Sequence, residues 1–120
     1  MDIFMTSAKV AECELPDDRV YDGVNLVPYI TNEVNSQPHD VFYWKSDHIQ
    51  AMRKGNWKFL LSTRDKWMEL YNITTDKFEH YDLNEVNSDT LIKLRQEFDV
   101  WQKELHSPLW PRLMDHKFTI

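Results

Sequence analysis

The pattern of hydrophobic and polar positions changes its period twice along the chain, and the middle part has the period of strands. β-Branched and aromatic residues form four short runs that begin at Val41, Ile49, Trp57 and Trp67, and apolar and polar positions alternate within the second and third runs. Short polar connections separate the runs, with Gly55 in a tight one. Consecutive runs of this kind predict an antiparallel sheet of about four strands over residues 40–74.

A helical period follows between residues 84 and 106. The apolar positions there are spaced three or four residues apart and form one stripe: Leu91, Leu94, Phe98, Trp101 and Leu105. Ser88 is the predicted N-cap, and Asp89 then lies at the positive end of the helix dipole. The stripe needs a surface to cover, and a face of the sheet can provide it. We therefore predict an α+β fold, in which the small antiparallel sheet packs against a long C-terminal helix over residues 87–106.

The two ends of the chain have weaker patterns. Asp2–Cys13 is predicted to be a short N-terminal helix with Asp2 as its N-cap, and Val24–Thr31 is predicted to be another, with Pro28 in its first turn. Residues 1–31 are thus a predicted helical connecting segment. Residues 107–120 contain two prolines and are predicted to be an extended tail, which docks through its large apolar side chains.

Charge and composition narrow the classes of function. The net charge of −6 argues against non-specific binding of nucleic acid, which depends on Lys and Arg contacts to phosphates. No apolar run approaches the roughly 20 residues of a membrane-spanning helix, and no signal-peptide pattern is expected after Met1. Cys13 is the only cysteine in the sequence, so no internal disulfide is predicted.

A search for catalytic and metal-binding patterns gives none with the required spacing. The five histidines do not have metal-ligand spacing, and the acidic pair Asp17-Asp18 does not lie in a calcium-binding loop pattern. Gly23 and Gly55 are too far apart for a phosphate-binding loop. We predict that this chain contains no catalytic residue and no metal site.

A basic and aromatic stretch from Lys45 to Lys58 permits two interpretations. Its cations, coupled with the rings of Tyr43, Trp44 and Trp57, are residue types that bind a sulfated sugar, because cations attract the sulfate and aromatic faces stack on the sugar ring. Alternatively, strand alternation places the aromatic side chains in the core and the cations in water. The sequence leaves both interpretations open.

Several motifs, taken in order, resemble the C-terminal subdomain of the sulfatase family, particularly arylsulfatases and N-acetylgalactosamine-6-sulfatase-like members. They are Met1-Asp2-Ile3-Phe4-Met5-Thr6, Asp22-Gly23-Val24-Asn25-Leu26-Val27-Pro28, Trp57-Lys58 and Glu69-Leu70-Tyr71-Asn72-Ile73. The resemblance implies a parent protein that hydrolyses sulfate esters with Ca²⁺ and a formylglycine, both held in a catalytic domain that these 120 residues do not contain. Cys13 is followed by Glu14-Leu15-Pro16-Asp17 and therefore does not match the family's C-x-(P/A)-x-R motif.

The resemblance also implies a role for the segment. It is expected to pack on the catalytic sulfatase domain, to help close the substrate pocket and to be inactive alone, with His48 as a substrate-binding residue at the pocket rim by position only. The isolated segment is expected to self-associate. Because members of the family are usually periplasmic, secreted or lysosomal, the parent protein is expected in one of these compartments. The alternative is a stand-alone binding module for sulfated glycans, which uses the stretch from Lys45 to Lys58.

Overall fold

A computed structural model describes residues 1–106 of the chain, and the predicted tail over residues 107–120 lies outside the described residues. The chain divides into two compact units, the first formed by Met1–Asp40 and the second beginning at Val41. Each unit has its own local architecture.

The second unit is built on an antiparallel sheet whose strands follow one another in the order of the sequence. The strands are β1 (Val41–Ser46), β2 (Ile49–Lys54), β3 (Trp57–Ser62) and β4 (Trp67–Asn72). Ile49 of β2 pairs with Ser62 of β3, so the connections before β2 and after β3 lie at the same end of the sheet. Gly55 adopts a positive φ of 55° in the β2–β3 hairpin turn, a conformation that glycine adopts without steric cost.

A long helix packs on one face of this sheet and closes the core. This helix, α3 (Ser88–Glu104), buries Leu91, Leu94 and Phe98 against the strand residues Met52, Phe59, Leu61 and Leu70. The Phe98 ring meets the Phe59 ring edge-on, with centroids 5.4 Å apart. The predicted α+β fold, with its sheet, C-terminal helix and short N-terminal helix, is confirmed.

The first unit contains two short helices, α1 (Asp2–Val10) and α2 (Val27–Ile30), with Pro28 in the first turn of α2. The prediction of Asp2 as N-cap is wrong, because Met1 occupies that position. The Asp2 carboxylate instead accepts hydrogen bonds from the backbone N–H of Val24 at 3.1 Å and from His39 Nε2 at 2.9 Å. These partners are remote in sequence, so local helix rules do not reveal them.

The N-terminus of α3 also differs from the prediction. Asn87 is the N-cap instead of Ser88, and no side chain caps the helix there. The Asn87 carbonyl accepts hydrogen bonds from the N–H groups of Thr90 and Leu91, while its own N–H bonds back to Leu83. The helix ends at Glu104, since Leu105 is already extended. Within residues 1–106, no helix has the length and apolar character required to cross a membrane.

Candidate functional site at the end of the sheet

His48, the predicted substrate-binding residue, lies in the tight turn between β1 and β2. Its Nδ1 lies 2.8 Å from Oδ2 of Asp47, the preceding residue in the turn. Asp47 has a φ of 55°, in the left-handed region, and this turn conformation places the two adjacent side chains in contact. The His48 side chain is 18% exposed, so it is held against the protein but retains access to solvent.

The neighbouring β3–β4 turn contributes further contacts to Asp47 and His48. Arg64 Nη2 lies 3.3 Å from the same Oδ2 atom of Asp47, and the N–H of Thr63 donates a 2.9 Å hydrogen bond to the carbonyl of His48. The hydrogen bond from His48, together with the nearby Arg64 charge, lowers the pKa of Asp47 below its usual value. Asp47 is therefore an anion at neutral pH, with a cation on one side and an imidazole on the other.

A groove of about 410 Å³ adjoins this turn on the side of α3. Its lining combines two stacked rings with charged and titratable side chains, and consists of Tyr43, Lys45, Asp47, Trp101, Leu105 and His106. The Tyr43 and Trp101 rings are nearly parallel, with centroids 4.5 Å apart. Asp47 is thus shared between the groove and the His48 turn.

The basic and aromatic stretch from Lys45 to Lys58 does not form a single surface. Tyr43 and Trp57 pack against the core, and Lys54 bonds to Glu97 of α3 at 2.7 Å, so these residues belong to the helix side of the sheet. Phe42, Trp44, Arg53 and Lys58 lie on the opposite face by alternation, and the first two stack with centroids 5.8 Å apart. Strand alternation thus directs Tyr43 and Trp57 towards the core, as the alternative to sugar binding predicted, whereas Phe42 and Trp44 lie outside the core.

The side chains of residues 1–106 do not fit either cofactor that the sulfatase resemblance implies. Cys13 is exposed just after α1, and its Sγ makes a weak contact with the carbonyl of Ala11 at 3.7 Å. Residues 1–106 hold no group of three or more His, Cys, Asp or Glu side chains arranged to bind a metal ion. No step of sulfate-ester chemistry can therefore be assigned to these side chains.

His48 was predicted from the sequence as a site residue, whereas its neighbours Asp47 and Arg64 were not. The adjacent Asp47-His48 pair in a predicted turn was a usable signal, because an aspartate preceding a histidine can orient its ring. Arg64 had no such signal, since only the pairing of β2 with β3 brings its turn to the same end of the sheet.

No protein-family model matches the chain. Among curated proteins, the chain is 39% identical to the steryl-sulfatase of Mus musculus over 57 residues, which is 47% of this chain and 9% of that protein. It is 32% identical to the N-acetylgalactosamine-6-sulfatase of Mus musculus over 77 residues, or 63% of this chain and 14% of that protein.

The fold of this chain also matches one part of a longer solved structure. A 2-O GAG sulfatase superimposes with a TM-score of 0.67 at 21% identity, covering 97% of this chain and 28% of that one. The chain thus spans about a tenth of the length of the curated relatives it matches and about a quarter of the solved one. Sequence and fold together identify the chain as related to the sulfatase family, as a segment that resembles its C-terminal subdomain.

Proposed function

We propose that this chain is the C-terminal subdomain of a sulfatase, which packs on the catalytic domain and helps to close its substrate pocket. The observation that carries the proposal is the first unit, in which no residue from Met1 to Asp40 is buried. Ile3 is 79% exposed, Val20 90% and Ile30 73%. Exposed apolar side chains of this density mark a surface that a partner covers.

The partner is a sulfatase catalytic domain. The relatives are sulfatases several times longer than the matched segment, which supports a partner that supplies the remaining length. The Ca²⁺ and formylglycine expected of the family then belong to that domain. Alone, the chain is inactive, because the described residues supply neither group.

His48 gives the proposed subdomain its contact with substrate. Its turn lies at the sheet end where the β1–β2 and β3–β4 connections meet, and its ring retains solvent access. A residue in this position can reach the rim of a pocket that a neighbouring domain forms. We assign it to substrate binding and not to the chemical step.

Trans-complementation tests this function. A sulfatase truncated before the matched segment is co-expressed with the present chain, and the sulfatase activity of the purified mixture is measured with an aryl sulfate. We expect the chain to co-purify with the truncated enzyme and to restore hydrolysis that neither part shows alone. Failure to co-purify would contradict the proposal.

Matched variants locate the docking surface. Val20→Asp places a charge on the exposed surface of the first unit and is expected to abolish co-purification, since an uncompensated charge cannot be buried in an interface without a large cost. Val100→Asp, at a 60% exposed position on α3, is the control and should leave complementation unchanged. Equal loss in both variants would argue against the first unit as the docking surface.

A second candidate function, binding of sulfated glycans by the free chain, is favoured by one cross-strand row. Phe42, Arg53, Lys58 and Tyr71 are register neighbours across all four strands, so two cations lie opposite each other between two rings. Like charges in such positions repel, and a bound anion would relieve the repulsion. Lys58 is already paired with Glu79 at 2.5 Å, whereas Arg53 has no ion pair within residues 1–106.

Retention on a sulfated oligosaccharide column tests this second candidate. Salt-sensitive retention of the monomeric chain that Arg53→Gln reduces would support it. Lys93→Gln, an exposed substitution on α3 with the same charge change, is the control. Equal effects of the two substitutions would mean that only overall charge matters.

A further inference from the structure

The Asp47–His48 contact fixes which imidazole nitrogen carries the hydrogen. An ionised carboxylate only accepts hydrogen bonds, so the 2.8 Å contact requires His48 Nδ1 to be the donor. In the neutral ring, Nε2 then holds the lone pair. No side chain within residues 1–106 hydrogen-bonds to Nε2.

The carboxylate is itself held in place. Arg64 approaches Oδ2 of Asp47, the same atom that His48 contacts, and therefore limits rotation of the carboxylate away from the ring. The Thr63 N–H holds the backbone of His48 from the same turn. The β1–β2 and β3–β4 turns thus restrain His48 through its imidazole ring and through its backbone carbonyl.

We propose that Asp47 and Arg64 are positioning residues that hold His48 in the Nδ1–H tautomer, so that its Nε2 is a pre-oriented hydrogen-bond acceptor for a hydroxyl group of a bound ligand. Orienting a histidine through its other nitrogen is a general way of setting the chemistry of the free one. An acceptor suits a hydroxyl donor and disfavours a second acceptor such as a sulfate oxygen while the ring is neutral. The role of Nε2 in ligand binding rests on the function proposed above, whereas the tautomer of His48 does not.

The tautomer can be measured on the chain itself by long-range ¹H–¹⁵N correlation of its histidine side chains at a pH where the rings are neutral. We expect His48 to show an unprotonated Nε2 and a protonated Nδ1 in the wild type. His80 is an internal reference, because its described contacts are ring contacts with Phe78 and Tyr81. A wild-type His48 with its hydrogen on Nε2 would overturn the proposal.

Asp47→Gly removes the carboxylate and suits the positive φ at this position, so the turn should persist. We expect the Nδ1–H form to fall from the majority to the minority of His48 molecules, with His80 unchanged. Arg64→Ala should produce a smaller shift in the same direction. Asp65→Ala in the same β3–β4 turn, whose carboxylate bonds to Ser62, is the control and should leave His48 unaffected.

An unchanged tautomer in Asp47→Gly would overturn the assignment of Asp47, and an unchanged tautomer in Arg64→Ala would overturn that of Arg64.

To test the role of Nε2 in ligand binding, the complemented sulfatase is assayed with and without Asp47→Gly. We expect a KM at least several-fold higher with little change in kcat, because the residue positions a binding group. An unchanged KM would overturn the role of Nε2, while restored activity would leave the subdomain function intact.

Discussion

Asp2, Thr6 and His39 join α1 of the first unit to segments that follow it in the chain. Asp2 bonds to the Val24 N–H and to His39, and Thr6 Oγ1 accepts a 2.9 Å hydrogen bond from the Leu26 N–H. Asp2 and Thr6 are four residues apart and therefore lie on the same side of α1. Because no side chain of the unit is fully buried, such hydrogen bonds contribute a large share of its stability.

Asp2→Asn should destabilise the first unit by about 1 kcal/mol at neutral pH, since it removes a charge-assisted contact. The Val24 N–H and His39 lower the pKa of Asp2 below its usual 3.8, so the contribution is present above that value and is lost as the pH falls through the folded-state pKa. Proteolysis of the first unit along a urea series at several pH values measures it. The wild-type advantage should vanish in strong acid.

Asp17→Asn is the control for this prediction, because Asp17 is an exposed aspartate in the same unit. It should leave protease protection unchanged at every pH. A wild-type advantage over Asp2→Asn that persists in strong acid would show that the charge on Asp2 is not its source.

Gly23 is required by close approach and not by backbone conformation. A Cβ at this position would lie 2.6 Å from the backbone carbon and oxygen of Met1 and 2.9 Å from Met5 Cγ. Gly23→Ala should therefore destabilise the first unit by about 1–3 kcal/mol, as overpacking does. Faster proteolysis within residues 1–40 would confirm this, and Ser7→Ala on the exposed side of α1 should have no such effect.

At the scale of elements, the second unit depends on the contact between α3 and one face of the sheet. Phe98 has no exposed surface and touches the rings of Tyr43, Phe59 and Trp101. Phe98→Ala should lower the free energy of unfolding by about 3–5 kcal/mol through lost burial and a residual cavity. Ile92→Ala, on the exposed side of α3, should cost less than about 0.5 kcal/mol in the same urea titration.

Gln50 is a buried polar position on the face of the sheet that packs against α3. It is 3% exposed, and its Oε1 has no hydrogen-bond partner within residues 1–106. Gln50→Met keeps the length of the side chain and removes the unsatisfied acceptor, so it should stabilise the second unit by about 1 kcal/mol. Lys45→Met at the exposed cross-strand partner is the control, and a lower thermal midpoint for Gln50→Met would contradict the prediction.

At the scale of the whole molecule, exposed apolar surface on the first unit predicts self-association of the free chain. Sedimentation velocity across a concentration series should show oligomers that Ile3→Asp reduces, because Ile3 is one of the most exposed apolar residues of α1. Val100→Asp should have no comparable effect. A monomer at every concentration would contradict this prediction and weaken the case for a docking surface.

The helix and strands of the second unit, and the similarity to sulfatases, could be predicted from the amino-acid sequence alone. Alternation over β2 and β3 and the three-and-four spacing of Leu91, Leu94 and Phe98 are local periods, and such periods follow from the geometry of a strand or a helix alone. The motifs that resemble sulfatases could also be compared directly, because they are contiguous stretches of residues.

Which side chains contact one another could not be predicted from the sequence, because these contacts depend on how the chain folds back on itself. The Asp2–His39 contact spans 37 positions, and Arg64 reaches Asp47 only because β2 pairs with β3 in the observed register. The same pairing places Arg53 opposite Lys58 and separates both from Tyr43 on the other face. Long-range contacts depend on strand register and chain reversal, and no local period in the sequence specifies them.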